Sequence, residues 1–571
     1  MLNQELADIF LNIAELLELK ADNLFKIRAY EKAARNIESL NHDIGEIYKS
    51  GGIKALENIP GVGAHTALKI EEYLNTGKIK AFNALKHEFP NNFLKLVEIP
   101  GMGPKTAILL YKKLGIDSPE KLEKAIKAGK LKDIPGMGAK KEENILRGIE
   151  LKKKVHGRFL LDVATSHAEL LVEELSKLKV ADKILPCGSL RRGKETIGDI
   201  DLLVVSSHPA RVMDAFVGIS AVKDVLAKGE TKSSVILQNG MQADLRVVEE
   251  KSFGAAAHYF TGCKEHNIHL RQLAQQTGWK VSEYGIFRKD KQIGGETEEE
   301  MFSKFGFQFI PPELREMRGE FEAAAKGKIP DLIELKDIKG DLHLHTTASD
   351  GANTIEEMAR AVKALGYEYI LITDHSPSTR VAKGFSAAKL LQQIKEVRAA
   401  EKNVAGIRIL AGSEVDIKPD GSLDYPDEIL KQLDLVIIAV HSSFKMPEEK
   451  MTNRIIKAMQ NKYANIFTHP TGRLIGEREG YAIDMEKVLQ AAKENNVAME
   501  INAHPKRLDL TDVHCMRAKE LGVKLVINTD AHSTDQLQLM KYGVITARRG
   551  WLEAKDVLNT YSLTRLLQSL K

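Results

Sequence analysis

The sequence predicts a multidomain protein with an all-helical front, a mixed α/β middle and a C-terminal (β/α) barrel. Three observations predict it. The unit Ile-Pro-Gly-Xaa-Gly recurs within residues 1–155, starting at Ile59, Ile99 and Ile134, on a background of apolar residues at three- and four-residue spacing. From about Gly157 to Phe309, short β-rich runs such as DIDLLVV (199–205) alternate with helical segments. From Gly340 onward, seven apolar runs each end in polar side chains, with helix-like stretches between them. A chain of 571 residues also exceeds what one core usually organises.

Composition narrows the classes. Hydrophobic residues at 43% and charged residues at 28% fit folded globular protein and argue against extensive disorder. A net charge of +4 is too small to indicate nucleic acid by itself, although Met1–Leu160 carries 27 Lys and Arg against 21 Asp and Glu. Cys187, Cys263 and Cys515 lie far apart without CxxC spacing, so neither a disulfide framework nor a thiolate metal site is expected, and a reducing cytosol fits. The opening segment is amphipathic and acidic with no cleavage-site pattern, and no apolar run approaches the ~20 residues that span a bilayer. The expectation is a cytoplasmic protein without membrane association.

The barrel runs are DLHLH, YILITDH, RILAGSEVD, LVIIAVHSS, NIFTHP, VAMEINAH and KLVINTDAH. At or just beyond their ends stand His343, His345, Asp350, His375, Glu414, His441, His469, Asp530 and His532, with Asp374 beside one of them. In a (β/α) barrel the strand C-termini form the chemical face, so these imidazoles and carboxylates converge. His343 and His345 are two apart on a strand and share a face. Such a set suits two or three divalent ions, and histidine with carboxylate but no thiol fits Zn2+, Mn2+ or Fe2+. DLHLHT, ITDH, the Glu of LAGSEVD, AVHSS, FTHP and NTDAH resemble the PHP (polymerase and histidinol phosphatase) family over residues 340–571. The resemblance implies a distorted (β/α)7 barrel with a trinuclear site acting on phosphoesters, and the nine residues above fall on its ligand positions. His504 is not among them and reads as a structural or supporting histidine.

In the middle, Gly188-Ser189-Leu190-Arg191-Arg192-Gly193 precedes Gly198-Asp199-Ile200-Asp201. On a strand Asp199 and Asp201 project to one face, and adjacent carboxylates repel unless cations neutralise them. Asp244, opening another β-rich run, is the third candidate for a site holding Mg2+ or Mn2+. Gly188, Ser189, Arg192 and Gly193 suit the phosphates of a nucleotide. Residues 158–320 resemble the X-family DNA polymerases through this triad and through YFTG (259–262), SEYGIFR (282–288), GGETEEEMF (294–302) and FIPPELRE (309–316). The resemblance implies a nucleotidyltransferase palm over 156–245 and a thumb-like nucleotide-selection subdomain over 246–317. It makes Asp199, Asp201 and Asp244 catalytic, places Tyr259 and Phe260 by the sugar, and counts Gly262 among the nucleotide-binding residues. It sets Asn267 at the minor-groove side of the nascent pair, Arg271 on the template, and Lys264 where bacterial members hold a nucleotide before DNA arrives. Three departures bear on efficiency and fidelity: Cys263 replaces a usual serine, Leu190 an aromatic, and Gln242 an arginine of some relatives.

At the front, the glycines of each IPGxG, namely Gly61, Gly63, Gly101, Gly103, Gly136 and Gly138, permit a tight turn from which a helix starts with free amides. The motif resembles the helix-hairpin-helix, which implies DNA phosphate contacts that do not read sequence. Residues 1–80 also resemble the small helical domain that grips the 5′ phosphate of a gap, with 81–155 as a fingers-like helix-hairpin-helix region. Lys69 stands at the position of the lysine that forms a Schiff base with abasic sugar in some relatives. That chemistry needs a depressed pKa, and a DNA-binding or solvent-facing Lys69 is the favoured reading.

The polar, proline-bounded stretch 318–339 reads as a linker to the barrel. The expected function joins template-directed filling of gapped or nicked DNA from dNTPs with 3′–5′ exonuclease activity. Abasic endonuclease or 3′ phosphatase activity is a further candidate for the barrel, and a monomer is the default state. The alternative is a DNA phosphoesterase whose weak polymerase core only positions DNA, a reading motivated by Cys263 and Gln242.

Overall fold

The computed structural model describes residues 2–570 except 21, 39–43, 60, 90–92, 94–95, 97–98, 100–101, 103, 133, 139–140, 144, 147–148, 150–156 and 180. It divides into two compact units, Met1–His156 with Gly476–Glu479, and Gly157–Ile475 with Gly480–Lys571.

The first unit is helical. Its first helix, Leu2–Leu19, carries Leu6, Phe10, Ile13 and Leu17 on one stripe, and packs this face into a core shared with Ile27, Tyr30 and Ala34 of the helix Leu24–Glu38. The three repeats share one backbone hydrogen bond. The amides of Val62, Met102 and Met137 donate to the carbonyls of Ile59, Ile99 and Ile134 at 2.9, 2.9 and 3.0 Å, and all six side chains are buried. Gly61 and Gly136 have φ of 81° and 77° at the third turn position, a conformation that disfavours any Cβ. Apolar anchors therefore fix each turn from within.

The second unit holds two sheets, a ribbon and a barrel. β1 (Phe159–Leu160) and β3 (Thr196–Ile197) form the antiparallel ribbon. β2 (Lys183–Pro186), β4 (Asp199–Val205), β5 (Val222–Lys228), β6 (Lys232–Leu237) and β7 (Gln242–Val248) form a sheet of order β2-β4-β7-β6-β5, in which only β4 and β7 are parallel. Alternation divides β4 cleanly. Ile200, Leu202 and Val204 pack under the helices Leu161–Lys177 and Pro209–Val217, so Asp199 and Asp201 belong to the opposite face.

β8 (Lys280–Ser282), β9 (Gly285–Arg288) and β10 (Lys291–Gly294) make a small antiparallel sheet over a core that includes Leu270, Phe302 and Ile310. The stretch expected to be a linker is folded. The helix Glu320–Ala325 places Phe321 and Ala324 in that core, because their three-residue spacing gives an otherwise charged segment one apolar stripe.

Seven parallel strands follow: β11 (Gly340–Leu344), β12 (Tyr369–Ile372), β13 (Arg408–Asp416), β14 (Leu435–Ala439), β15 (Ala464–Phe467), β16 (Ala498–Asn502) and β17 (Leu525–Asn528). They pair in sequence order, and a parallel bridge between Leu344 and Ala531 joins the two ends. This is the expected (β/α)7 barrel. One cluster takes a residue from every strand, including Leu342, Leu371, Leu410, Ile437, Ile466, Ala498 and Val526, and so fills the interior. The alternate residues Ile370, Ile372, Ile409, Ala411, Val436 and Ile438 pack outward against helices such as Ile355–Ala364 and Ala387–Asn403.

Candidate active sites

Interior alternation carries the barrel's apolar floor into a polar rim. Leu371 leads in steps of two to His375, Leu410 to Glu414, Ile437 to His441 and Val526 to Asp530. β11 reaches the same place through an irregularity between Asp341 and Leu344, which puts His343 and His345 at the mouth while Leu344 turns outward. All nine predicted residues come together there. Their donor atoms form four overlapping groups, each within 4.8 Å: His345, Asp350, His375 and His532; His343, His469 and Asp530; His343, His345 and Glu414; His375, Glu414 and His441. Glu414 is the hub, with its oxygens 3.5 Å from His343 Nε2, 3.5 Å from His345 Nε2, 3.0 Å from His375 Nδ1, 3.2 Å from His441 Nε2 and 2.8 Å from His469 Nε2.

The donor set fits divalent cations. His343 Nε2, both ring nitrogens of His345 and His375 Nδ1 are buried without a hydrogen-bond partner, a costly arrangement for imidazoles that hold no ion. Burial opposes protonation of His375 and His441, yet Glu414, with Asp350 for the first and Asp416 for the second, outweighs it and holds them up at about 10 and about 9. His345, buried and facing His532 and His375, is pushed down to about 4. Protons on some rings thus balance the carboxylates, a role that cations take over when bound.

Two supporting carboxylates were not singled out from the sequence. Glu500 is fully buried on β16. Its Oε1 accepts from His343 Nδ1 at 2.8 Å and Asn528 Nδ2 at 3.0 Å, while its Oε2 accepts from the His469 amide at 2.7 Å and from Thr468 Oγ1. Asp416 does the same for His441 Nδ1 at 3.1 Å. Each fixes the ring so that its other nitrogen faces the cluster. The available signal was a carboxylate inside an apolar strand, AMEIN, and a second acid two residues beyond Glu414.

The triad of the five-stranded sheet is assembled by register. β4 and β7 pair with Asp201 opposite Asp244 and Asp199 opposite Gln242, so parallel alternation sends both partnered carboxylates to one face. Burial pushes Asp201 up to about 7, and the charges of Asp199 and Asp244 add to it. Carboxylates crowded in this way suit a cation. Gln242, the departure from an arginine, donates its amide to Asp244 Oδ1 at 2.9 Å. Gly188 has φ of 65°, and a Cβ there would collide with Asp201 Oδ2, so the turn and the triad are packed as one object. Ser189 is the second residue of the short helix Gly188–Arg191. Arg192, on the same turn, donates from Nη1 to the Thr261 carbonyl at 2.7 Å and from Nε to Glu316 Oε1 at 2.9 Å.

Tyr259 and Phe260 sit edge to face at 5.2 Å, and the Arg246 guanidinium lies 4.7 Å over Phe260. Asn267 ties this segment down, donating to the carbonyls of Tyr259 at 2.7 Å and Gly262 at 3.1 Å, while its own Oδ1 is buried and unpartnered. Cys263 caps the next helix, its Sγ accepting from the His266 amide at 3.4 Å as a serine hydroxyl would. Lys264 and Arg271 are exposed on that helix, with Arg271 Nε bonded to the Asn267 carbonyl at 3.3 Å.

In the helical unit, Gly63 precedes a helix without a side-chain cap, and nothing lies within 4 Å of a Cβ built at Gly63 or Gly138. Gly101 and Gly103 lie outside the described residues. Lys69 is half-buried, its Nζ bonded to the His65 carbonyl at 3.1 Å and 5.8 Å from the Tyr30 ring centre. Among the described residues, no helix is long and apolar enough to cross a membrane.

Comparison with known proteins agrees with this division. Models described as a helix-hairpin-helix domain, a SAM-like helix-hairpin-helix tandem, the DNA polymerase beta thumb and the PHP domain match residues 1–79, 93–152, 256–316 and 341–504. The DNA polymerase/3′-5′ exonuclease PolX of Bacillus subtilis (strain 168) is 42% identical over 566 residues, covering 98% of this chain and 97% of that protein. The chain belongs to the PolX family. A probable phosphatase of Thermoanaerobacter sp. (strain X514) is 33% identical over 231 residues, 38% of this chain and 89% of its own length. A solved Leishmania infantum polymerase beta, a ternary P/T complex, aligns over 39% of this chain and 96% of its own, with 22% identity and a TM-score of 0.27, too low to carry weight. Across the full length, this PolX-family chain keeps the helical front, the polymerase core and the PHP barrel in order.

Proposed function

We propose that this chain fills short gaps in DNA by template-directed synthesis and trims DNA 3′ ends by metal-dependent hydrolysis, in two separate sites. The observation that carries the reading is the in-register pairing of Asp201 with Asp244 behind the Gly188 turn, in one chain with the nine-residue barrel mouth.

In the first site Asp199, Asp201 and Asp244 would hold Mg2+ or Mn2+, which would lower the charge on a primer 3′ oxygen and on the triphosphate. The chain's own groups do the positioning. Gly188, Ser189, Arg192 and Gly193 bind phosphates through amides, a hydroxyl and a guanidinium. Tyr259, Phe260 and Gly262 bound the sugar, Asn267 and Arg271 face the nascent pair and the template, and Lys264 adds a cation for the nucleotide. In the barrel the nine residues would hold two or three ions, Mn2+, Zn2+ or Fe2+, supplying hydroxide and charge neutralisation at a phosphoester. Glu500 and Asp416 keep His343 and His441 in the tautomer that this requires.

The glycine turns at Gly61, Gly63, Gly101, Gly103, Gly136 and Gly138 serve as sequence-independent phosphate contacts, and Lys69 as a DNA contact. The substrates are gapped or nicked duplex and dNTPs, and the protein acts as a cytoplasmic monomer. A labelled primer on a one-nucleotide gapped duplex tests this, followed on a sequencing gel with Mg2+ or Mn2+, with and without dNTPs. Asp201→Ala should lose extension and still shorten the primer, and His343→Ala should do the reverse. A wild type that extends no primer under either metal removes the polymerase half of the proposal.

A further inference from the structure

The Gly188–Gly193 turn is closed from behind by the barrel domain. Gly193 has φ of 63°, and a Cβ there would run into Ile545 of the helix Met540–Arg549. The last residue of that helix reaches under the turn. Arg549 Nη1 donates to the Arg192 carbonyl at 2.6 Å and to Glu316 Oε1 at 3.1 Å, and Nη2 donates to Asp512 Oδ2 at 2.6 Å. Its side chain is only 4% exposed. The same Glu316 oxygen takes Nε of Arg192 at 2.9 Å. One carboxylate oxygen therefore serves two guanidinium groups, one from the phosphate turn and one from the barrel. Arg549 lies beyond residues 341–504, where the PHP model matches.

This sharing has a consequence for Arg192. Glu316 is 11% exposed, and burial alone would raise its carboxyl, but Arg549 and Arg192 together hold it below the usual range. If Arg192 were its only close partner, moving that guanidinium onto a phosphate would strand a nearly buried carboxylate, the costly half of a broken ion pair. Arg549 already occupies that oxygen, so the carboxylate stays paired when Arg192 leaves. Lys194 Nζ, at 4.0 Å from Oε2, is too distant to substitute.

We propose that Arg549 of the barrel domain is a positioning residue for the nucleotide site of the polymerase core: it holds Glu316 and so releases Arg192 to the phosphates of an incoming nucleotide. The proposal rests on the reading of Gly188–Gly193 as the nucleotide turn. It makes the barrel domain a structural part of the synthetic site and not merely its neighbour.

The test is single-nucleotide insertion by the full chain on a one-nucleotide gap, with KM and kcat measured for dNTP. Arg549→Ala should raise KM about tenfold or more and change kcat less than about threefold. In the double variant with Glu316→Gln, no carboxylate remains to retain Arg192, and KM should return to within about threefold of wild type. Exonuclease activity on a single-stranded 3′ end should match wild type in each, which shows that the barrel is folded. An unchanged KM in Arg549→Ala overturns the proposal. So does a double variant no better than the single one, since a merely structural Arg549 would not be rescued by removing its partner's charge. A wild type that inserts no nucleotide sinks the nucleotide-site reading itself, a result distinct from either.

Discussion

Glu500→Gln is the substitution that most directly tests the proposed metal site of the barrel. The side chain is isosteric, but one acceptor oxygen becomes an amide donor. Five donors meet the native carboxylate: His343 Nδ1 and Asn528 Nδ2 on Oε1, and Thr468 Oγ1, the His469 amide and Asn502 Nδ2 on Oε2. The amide oxygen keeps most bonds by facing the second set, which turns the new NH2 toward His343 and Asn528. His343 then best relieves the clash by moving its proton from Nδ1 to Nε2, the nitrogen that faces Glu414 and Asp530 at 3.5 and 3.3 Å. A protonated Nε2 is no ligand. The expected cost in metal affinity is about 10- to 100-fold, the range for losing a partner that orients a ligand, with a stability loss of about 1–3 kcal/mol from the donor left unsatisfied. Metal titration of chelator-treated protein reads the first and thermal unfolding the second, and primer extension by the same preparation should be unchanged. Wild-type metal affinity in Glu500→Gln would refute the claim that Glu500 sets the His343 tautomer.

Other outcomes follow from the same contacts. Gly188→Ala, which must place a Cβ against Asp201 at a positive φ, should lose at least about 100-fold in nucleotide insertion while keeping exonuclease activity, read on one gapped substrate. In metal-free protein, His375 and His441 hold protons up to about 10 and about 9, against about 6.5 when unfolded, so their stabilising contribution is complete below pH ~6.5 and is lost as pH rises through those values. Melting temperature after chelation should accordingly fall between pH 7 and 10, and a flat profile would contradict the pairing with Glu414. Cys263→Ser exchanges a sulfur cap for a hydroxyl and should leave stability unchanged or raise it by up to about 1 kcal/mol in denaturant titration. Borohydride treatment with an abasic duplex should trap no adduct at Lys69, and trapping that Lys69→Ala abolishes would establish lyase chemistry there.

The ligand set was legible because a strand has a fixed period. His375, Glu414, His441 and Asp530 each follow an apolar floor residue at an even interval, so the strand period carries them to the mouth. The triad was half legible. Asp199 and Asp201 are adjacent in sequence, but that Asp244 stands level with Asp201 depends on strand register, which the sequence leaves open. Glu500 was missed because a buried carboxylate bound only to protein groups leaves no motif. Glu316 and Arg549 are 233 residues apart, and nothing local marks either as the other's partner. The folded connector was read as a linker because its charge hides the stripe formed by Phe321 and Ala324.

The continuity between floor and rim in the barrel also sets what the sequence can tolerate. Exchanging Leu371 or Ile437 for another apolar residue disturbs packing and leaves the rim in phase. A single inserted or deleted residue between Leu371 and His375, or between Ile437 and His441, would send the imidazole outward among the helices and bring a neighbour into the mouth. Substitution and length change are therefore unequal events in these strands. Substitution can rewrite the floor, whereas the count of residues from floor to rim decides whether these side chains reach the mouth at all.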